Sequence, residues 1–311
     1  MSEDLDQTLL DNDPLLSEVL RYALLTGGKR LRPMLVIVSS RLCGRDDDDL
    51  YLLATAFEYL HVATLIHDDV IDHAENRRGL ESVGKKYGMA AAILAGDWLH
   101  AHSMYLIGSL TGKQGLDIFC GATAAMVDGE FLQLRHLSDT AVTEEQYFEV
   151  ILRKTARLIS STCEIGALFG GGTAEQIAAL ATYGRKIGIA FQIIDDLLDY
   201  LGDQQATGKL VGNDFIEGKL TLPLIHAFSH ANEQERAALL TSIRGDRSST
   251  DASATTKQIM YDLGSFEFSR QRAKKEVEEG LAAIAFFEKS QHGEGLAILE
   301  GLAGYILTRD R

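Results

Sequence analysis

Only three prolines, Pro14, Pro33 and Pro223, occur in the 311 residues, and each lies near an apparent element boundary. A proline inside a helix removes a backbone hydrogen bond and clashes with the preceding turn. Their scarcity therefore leaves long intervals open to uninterrupted helix. Residues in those intervals recur at helical spacing: Leu53, Phe57, Leu60, Thr64 and Val70 line up in the Ala- and Leu-rich segment 50–72. Comparable patterns predict helices over 90–110, 118–134, 144–169, 174–201 and 220–228. Alternating runs bounded by Asn-Gly or Asp-Gly turns are nearly missing, and Asp128-Gly129 falls inside a helical pattern, so strand signals are weak. The expected fold class is all-α, with many helices apolar on more than one face, as inside a bundle or at a subunit interface. Loops are expected at 27–28, 44–49, 73–82, 112–115, 170–173, 202–218 and 245–256.

No stretch rich in Pro, Ser or Gly divides the chain, so one domain spanning residues 1–311 is expected. The net charge of -15 opposes non-specific attraction to nucleic acid or anionic lipid. An anionic substrate must be drawn by a local basic cluster or a metal. Cys43, Cys120 and Cys163 are far apart with no C-x-x-C pair, which fits a reducing cytoplasm and argues against a disulfide framework or structural zinc. The acidic N-terminal residues have no basic segment followed by an apolar run, so no signal peptide is expected. Uncharged apolar stretches such as 89–96 fall short of the roughly 20 residues that span a bilayer.

Within this helical pattern the octapeptide Leu65-Ile66-His67-Asp68-Asp69-Val70-Ile71-Asp72 is echoed by Gln192-Ile193-Ile194-Asp195-Asp196-Leu197-Leu198-Asp199. On a helix the spacing gathers each set of three carboxylates around one turn. Each like-charge pair costs about 0.2–0.5 kcal/mol, and negative charge at a helix C-terminus is further opposed by the macrodipole. The sequence accepts that cost twice. Hard oxygen donors of this kind suit Mg²⁺, which takes one or two carboxylates together with waters and phosphate oxygens. The apolar neighbours distinguish these motifs from the run Asp46 to Asp49, which reads as a solvated loop and helix start.

Lys29, Arg30 and Arg32 follow Gly27-Gly28 and lead into Pro33. Arg77-Arg78-Gly79 comes after the first acidic motif, and Gly208-Lys209 and Gly218-Lys219 come after the second. Arginine offers paired planar donors to phosphate and lysine a compact charge, so the combination suits diphosphate.

The ordered set now resembles the trans-isoprenyl diphosphate synthases, the head-to-tail prenyltransferases. The matching motifs are Gly27-Gly28-Lys29-Arg30-Leu31-Arg32-Pro33, His67-Asp68-Asp69-x-x-Asp72, Arg77-Arg78-Gly79, Gly96-Asp97, Gly129-Glu130-x-x-Gln133, Lys154-Thr155, Phe191-Gln192 before the second acidic motif, Gly208-Lys209, Asn213-Asp214 and Gly218-Lys219-x-Thr221-Leu222-Pro223. The resemblance implies an all-α bundle around a deep central cavity, a homodimer, and about three Mg²⁺ ions per site. It implies metal ligation by Asp68, Asp72 and Asp195, with Asp69, Asp196 and Asp199 as direct or water-mediated partners. Arg77, Lys154, Lys209 and Lys219 would hold an allylic diphosphate, and Lys29, Arg32, His61 and Arg78 isopentenyl diphosphate. Gln192 would support the metal-bound diphosphate, and Thr155 would lie near the reacting carbons.

Leu80-Glu81-Ser82-Val83-Gly84 departs from the family pattern, and Glu81 and Gly84 bear on the conformation of that loop. Ala63 and Thr64, five and four residues before Asp68, are small where short-product members carry an aromatic, which implies a medium or long product. Tyr59 and Phe57 are candidates for closing the tunnel lower down, which leaves a geranylgeranyl or farnesyl product as the alternative. An apolar product would bring the enzyme transiently to a membrane. A class I terpene cyclase would need a different second metal motif, and a regulatory subunit of a heteromeric synthase would lack one or both acidic motifs.

Overall fold

The computed structural model describes residues 12–25, 27–202, 212–287 and 289–309. All three prolines stand in the first turn of a helix, where the missing N–H has no intrahelical partner to lose. Helix α1 (Pro14–Leu25) opens with Asp13 accepting from the Leu15 N–H at 2.9 Å, and α2 (Leu31–Leu42) carries Pro33. Next come α3 (Asp49–Ile71), the two-residue antiparallel strands β1 (Asn76–Arg77) and β2 (Leu80–Glu81), α4 (Val83–Tyr87) and the long α5 (Met89–Arg135). Helix α6 (Glu144–Ile151) begins at a capping box between Thr143 and Gln146 and runs through a π-helical turn, Leu152–Ala156, into α7 (Arg157–Phe169). The remainder is α8 (Ala174–Leu201), α9 (Asn213–Glu217), α10 (Leu222–His230), α11 (Glu233–Arg244), α12 (Thr250–Asp262), α13 (Ser265–Ala283) and α14 (Lys289–Thr308).

The all-α expectation holds. The expected loop at 112–115 reduces to one non-helical residue, Gly112, inside α5. The expected loop at 245–256 ends early because α12 starts at Thr250, and α9 forms within 202–218. The helix expected at 220–228 occupies Leu222–His230, since Thr221 is extended and Pro223 fixes the first turn.

The chain groups into two compact units, one formed by Met1–Cys120 with Thr162–Ile177 and the other by Gly121–Ser161 with Ala178–Arg311. In the first, Leu20 and Leu24 of α1 pack with Tyr59, Val62, Ala63 and Ile66 of α3 and Leu99 of α5. Full burial of such a side chain contributes roughly 1.5–3 kcal/mol. Tyr22 meets Tyr87 edge-on at 5.5 Å, and the Lys86 ammonium lies 3.8 Å from the Tyr22 ring, which fixes α1 to α4. In the second unit, the Tyr183 hydroxyl donates to Leu299 O at 2.7 Å, and Lys186 pairs with Glu276 at 2.8 Å, tying α8 to α14 and α13. Helices α3 and α8 are long and apolar enough to cross a membrane, but most of each apolar window is buried in the fold.

Candidate active site

Asp68, Asp69 and Asp72 stand at the C-terminal end of α3, with Asp72 as the cap residue whose N–H bonds back to Asp68 O. Asp68 and Asp72 are exposed, one helical turn apart. Asp69 is 6% exposed and accepts two hydrogen bonds from Arg77, one from Nε at 2.8 Å and one from Nη2. Arg77 reaches it from the β1–β2 hairpin. The two central residues of that turn, Arg78 and Gly79, have φ of 52° and 80°, the signature of the tight turn that matches strand twist. Gly79 adopts this freely; Arg78 adopts it against its own Cβ. The Arg78 guanidinium donates to Gly27 O, which joins the hairpin to the Gly27-Gly28 loop.

Of the departures from the family pattern, Glu81 is held in place here. Glu81 pairs with Asn76 across the hairpin, its carbonyl accepts from the Tyr22 hydroxyl at 2.8 Å, and Ser82 caps α4 by accepting from the Lys85 N–H at 3.2 Å.

Beside the hairpin, Arg30 donates to the carboxylate of Glu58 and, at 2.8 Å, to Leu24 O. Glu58 is 1% exposed on α3, and its charge raises Arg32 while burial lowers it more. Among the described residues Arg32 Nε is buried without a protein partner. Burial, reinforced by Arg32, Arg78, Arg30 and Arg77, pushes His61 down to about 2, so the imidazole is neutral at ordinary pH. Arg32, His61 and Arg78 thus share one electropositive locality. Lys29 is exposed beside it. Ala63 and Tyr59 are buried in the first unit's core, whereas Thr64 is half-buried, its hydroxyl donating to His61 O at 2.8 Å.

In the second motif the three carboxylates have three different surroundings. Asp195 is exposed and accepts from Arg309 Nη2 at 3.1 Å; the same nitrogen donates to Phe191 O at 2.9 Å, and the guanidinium covers the Phe191 ring. Asp196 is 4% exposed and accepts from the Tyr147 hydroxyl at 2.6 Å and from Gln192 Nε2 at 2.8 Å. Burial, with Asp214 adding to it, raises its pKa well above the usual carboxylate range. Asp199 accepts from the N–H groups of Asn213 and Asp214 at 3.1 and 3.0 Å, which anchors the start of α9, and burial with the Asp214 charge raises it to about 7.

Lys219 lies 3.3 Å from Asp214 and 2.5 Å from Glu217; burial lowers its pKa, and these two carboxylates more than offset that. Lys154 is fixed by Glu130 at 2.6 Å and Gln133 at 2.9 Å, both on α5. Gly129 precedes them because a Cβ there would sit 2.5 Å from the Lys154 backbone nitrogen. Thr155 donates to Gln192 Oε1 at 2.8 Å. Lys154, Thr155, Gln192, Asp196, Asp214 and Lys219 line one cavity of about 90 Å³ in the second unit. Lys209 lies outside the described residues.

The exposed carboxylates supply hard oxygen donors that suit Mg²⁺. Among the described residues no three acidic, imidazole or thiol side chains converge to enclose an ion unaided. Glu58, Tyr147, Asp214 and Arg309 were not among the expected site residues. Glu58, an acid within an apolar helix, is the one whose need for a cationic partner is visible in its own neighbourhood.

Residues 13–261 match the model of the polyprenyl synthetase family. The chain belongs to this family. It is 37% identical to octaprenyl diphosphate synthase from Haemophilus influenzae over 93% of this chain and 88% of the relative. A decaprenyl diphosphate synthase from Rhodobacter capsulatus shares the fold with a TM-score of 0.88, 34% identity and full coverage of both chains. A polyprenyl synthase from Caulobacter crescentus, crystallised with calcium and isoprenyl diphosphate, gives a TM-score of 0.89 at 32% identity, covering 99% of this chain and 94% of that one. The chain is accordingly a trans-isoprenyl diphosphate synthase, a prenyl-transferring enzyme.

Proposed function

We propose that this chain, acting as one catalytic domain, joins isopentenyl diphosphate head-to-tail to an allylic diphosphate in the presence of Mg²⁺ and repeats the step to give a medium or long polyprenyl diphosphate. The observation that carries the reading is that each aspartate motif sits beside cations held in fixed positions, Arg77 and Arg78 at the first and Lys154 and Lys219 at the second. Asp68, Asp72 and Asp195 are the assigned metal ligands. Asp69, Asp196 and Asp199 act from behind, since hydrogen bonds already engage them.

When bound, Mg²⁺ neutralises the departing pyrophosphate and so eases carbon–oxygen cleavage. The chain does the rest. Arg77, Lys154, Lys219 and Lys209 hold the allylic diphosphate, and Lys29, Arg32 and Arg78 the isopentenyl diphosphate. Arg32 Nε is a buried donor suited to an anion. His61 takes part as a neutral hydrogen-bonding group. The allylic cation formed on cleavage is attacked by the isopentenyl double bond, with Thr155 and Gln192 presenting oxygen dipoles beside it. A proton is then lost, and pyrophosphate is assigned as its acceptor.

A homodimer is the proposed assembly: Leu94 and Tyr105 are 64% and 66% exposed, and their eleven-residue spacing puts both on one face of α5. The proposed compartment is the reducing cytoplasm, where burial keeps Cys43 and Cys163 protonated by pushing their thiols up to about 11 and 12. The apolar product draws the enzyme transiently to membranes, and no nucleic-acid partner is proposed.

The test is incubation of the purified chain with isopentenyl diphosphate, Mg²⁺ and each allylic primer in turn, followed by product sizing. Chains longer than geranylgeranyl are expected; a farnesyl product sinks the open-tunnel reading, and no incorporation favours a subunit of a heteromeric enzyme. Thr64→Phe should shorten the product and is the sharper probe, because Ala63→Tyr also forces a ring into packed core. A sedimentation mass of 34.0 kDa, that of one chain, would exclude the dimer.

A further inference from the structure

Asp196 is held by uncharged donors that both trace back to one helical run. Tyr147 on α6 donates to one carboxylate oxygen at 2.6 Å. Thr155, in the π-helical turn that follows, donates to Gln192, and Gln192 donates to the other oxygen, at 2.8 Å each. In a regular α-helix, residues eight apart point about 80° away from each other. The π-helical turn Leu152–Ala156 absorbs one residue, so Tyr147 and Thr155 are related as if seven apart, about 20° from alignment. One face of the helix then engages Gln192 and Asp196, themselves one turn apart on α8.

We propose that Tyr147 is a positioning residue for prenyl transfer: its hydroxyl fixes the orientation of the Asp196 carboxylate, and the π-helical turn sets the register that lets Tyr147 and Thr155 act as a pair. Tyr147 is 5% exposed and faces the cavity that holds Lys154 and Lys219. Without the hydroxyl, Asp196 keeps only the Gln192 amide and is free to turn about its own side-chain bond. The aspartate motif would then lose the fixed outer partner that presents its ligands to the metal and diphosphate.

This inference rests on the metal-binding reading above, and the experiment separates the two. Mn²⁺ retention in the presence of inorganic pyrophosphate is measured by electron paramagnetic resonance on wild type, Tyr147→Phe, Asp196→Asn, the double variant and Asp195→Ala. Tyr147→Phe should weaken Mn²⁺ retention about tenfold and lower kcat while leaving KM for isopentenyl diphosphate unchanged. In the Asp196→Asn background the same change should add less than about twofold, because both act through one carboxylate. Wild-type retention by Tyr147→Phe alongside loss in Asp195→Ala overturns the positioning role alone, as do multiplicative losses in the double variant. Wild-type retention by Asp195→Ala overturns the metal reading and this inference together. Circular dichroism and the unfolding midpoint establish that each variant is folded; should Tyr147→Phe fail to fold, Thr155→Val tests the same relay from its other end, with retention at the wild-type level overturning the proposal.

Discussion

Asp69 and Asp196 hold the same place in their motifs and are buried to nearly the same degree, 6% and 4% exposed. Their surroundings differ in kind. Asp69 faces a guanidinium delivered by a two-residue hairpin turn, and Asp196 faces a phenol and an amide delivered by helices. The repeat thus fixes where the carboxylates stand on a helix but not how each buried one is neutralised. At the first motif the partner is a charge, Arg77, the same residue that the proposed function assigns to the allylic diphosphate. At the second, the buried acid is held by uncharged donors, and Lys154 and Lys219, which line the same cavity, pair with Glu130, Asp214 and Glu217.

The largest effect should come where the two motifs are alike. Asp68→Ala and Asp195→Ala each remove an exposed carboxylate, and each should cut turnover about a thousandfold, the equivalent of about 4 kcal/mol of transition-state stabilisation. Helical circular dichroism should stay unchanged. Retained activity in both variants refutes the metal assignment at its root.

The contrast itself is sharpened by stability. Arg77→Ala leaves a buried carboxylate without its ion-pair partner and should cost about 2–3 kcal/mol. That is below the cost for a fully buried pair, because Arg77 keeps 31% of its side chain in water. Asp196→Asn retains partners for both oxygen positions and should cost about 1 kcal/mol or less. Equal losses by urea titration would erase the distinction between the two neighbourhoods.

The smallest effect is a pH slope. His61 has its folded pKa depressed to about 2 from 6.5, so its contribution is complete above about 6.5 and is lost as pH falls below that value. Between pH 7.5 and 5.5 this one group should cost wild type about 1 kcal/mol, and His61→Gln should flatten that limb. An unchanged slope would mean that neither burial nor the arginine cluster depresses the imidazole.

The features legible in the sequence are those carried by neighbouring residues. The aspartate motifs, the Arg77-Arg78-Gly79 turn and the Lys154-Thr155 pair are contiguous, and the long helices α3 and α8 follow from apolar spacing and missing prolines. The partners Tyr147, Glu58 and Arg309 come from 49, 28 and 114 residues away from the groups they hold, and no local pattern encodes such a meeting. Helix α13 is not legible in the sequence for another reason. Its buried side includes Ser265, Ser269, Glu276 and Gly280, so the stripe that packs inward is not apolar enough to read as a stripe.

Gly129 has no side chain and touches no substrate group in the proposed chemistry, yet any Cβ there would displace the backbone that bears Lys154. In a scan of single substitutions that records only turnover, this position should therefore score with the aspartates and lysines. The discriminating sign would be its profile: acids and lysines tolerate some chemistry and not others, whereas here every replacement should fail whatever its chemistry, alanine least badly. Such a position marks clearance, not reactivity, as the quantity the fold holds fixed beside Lys154.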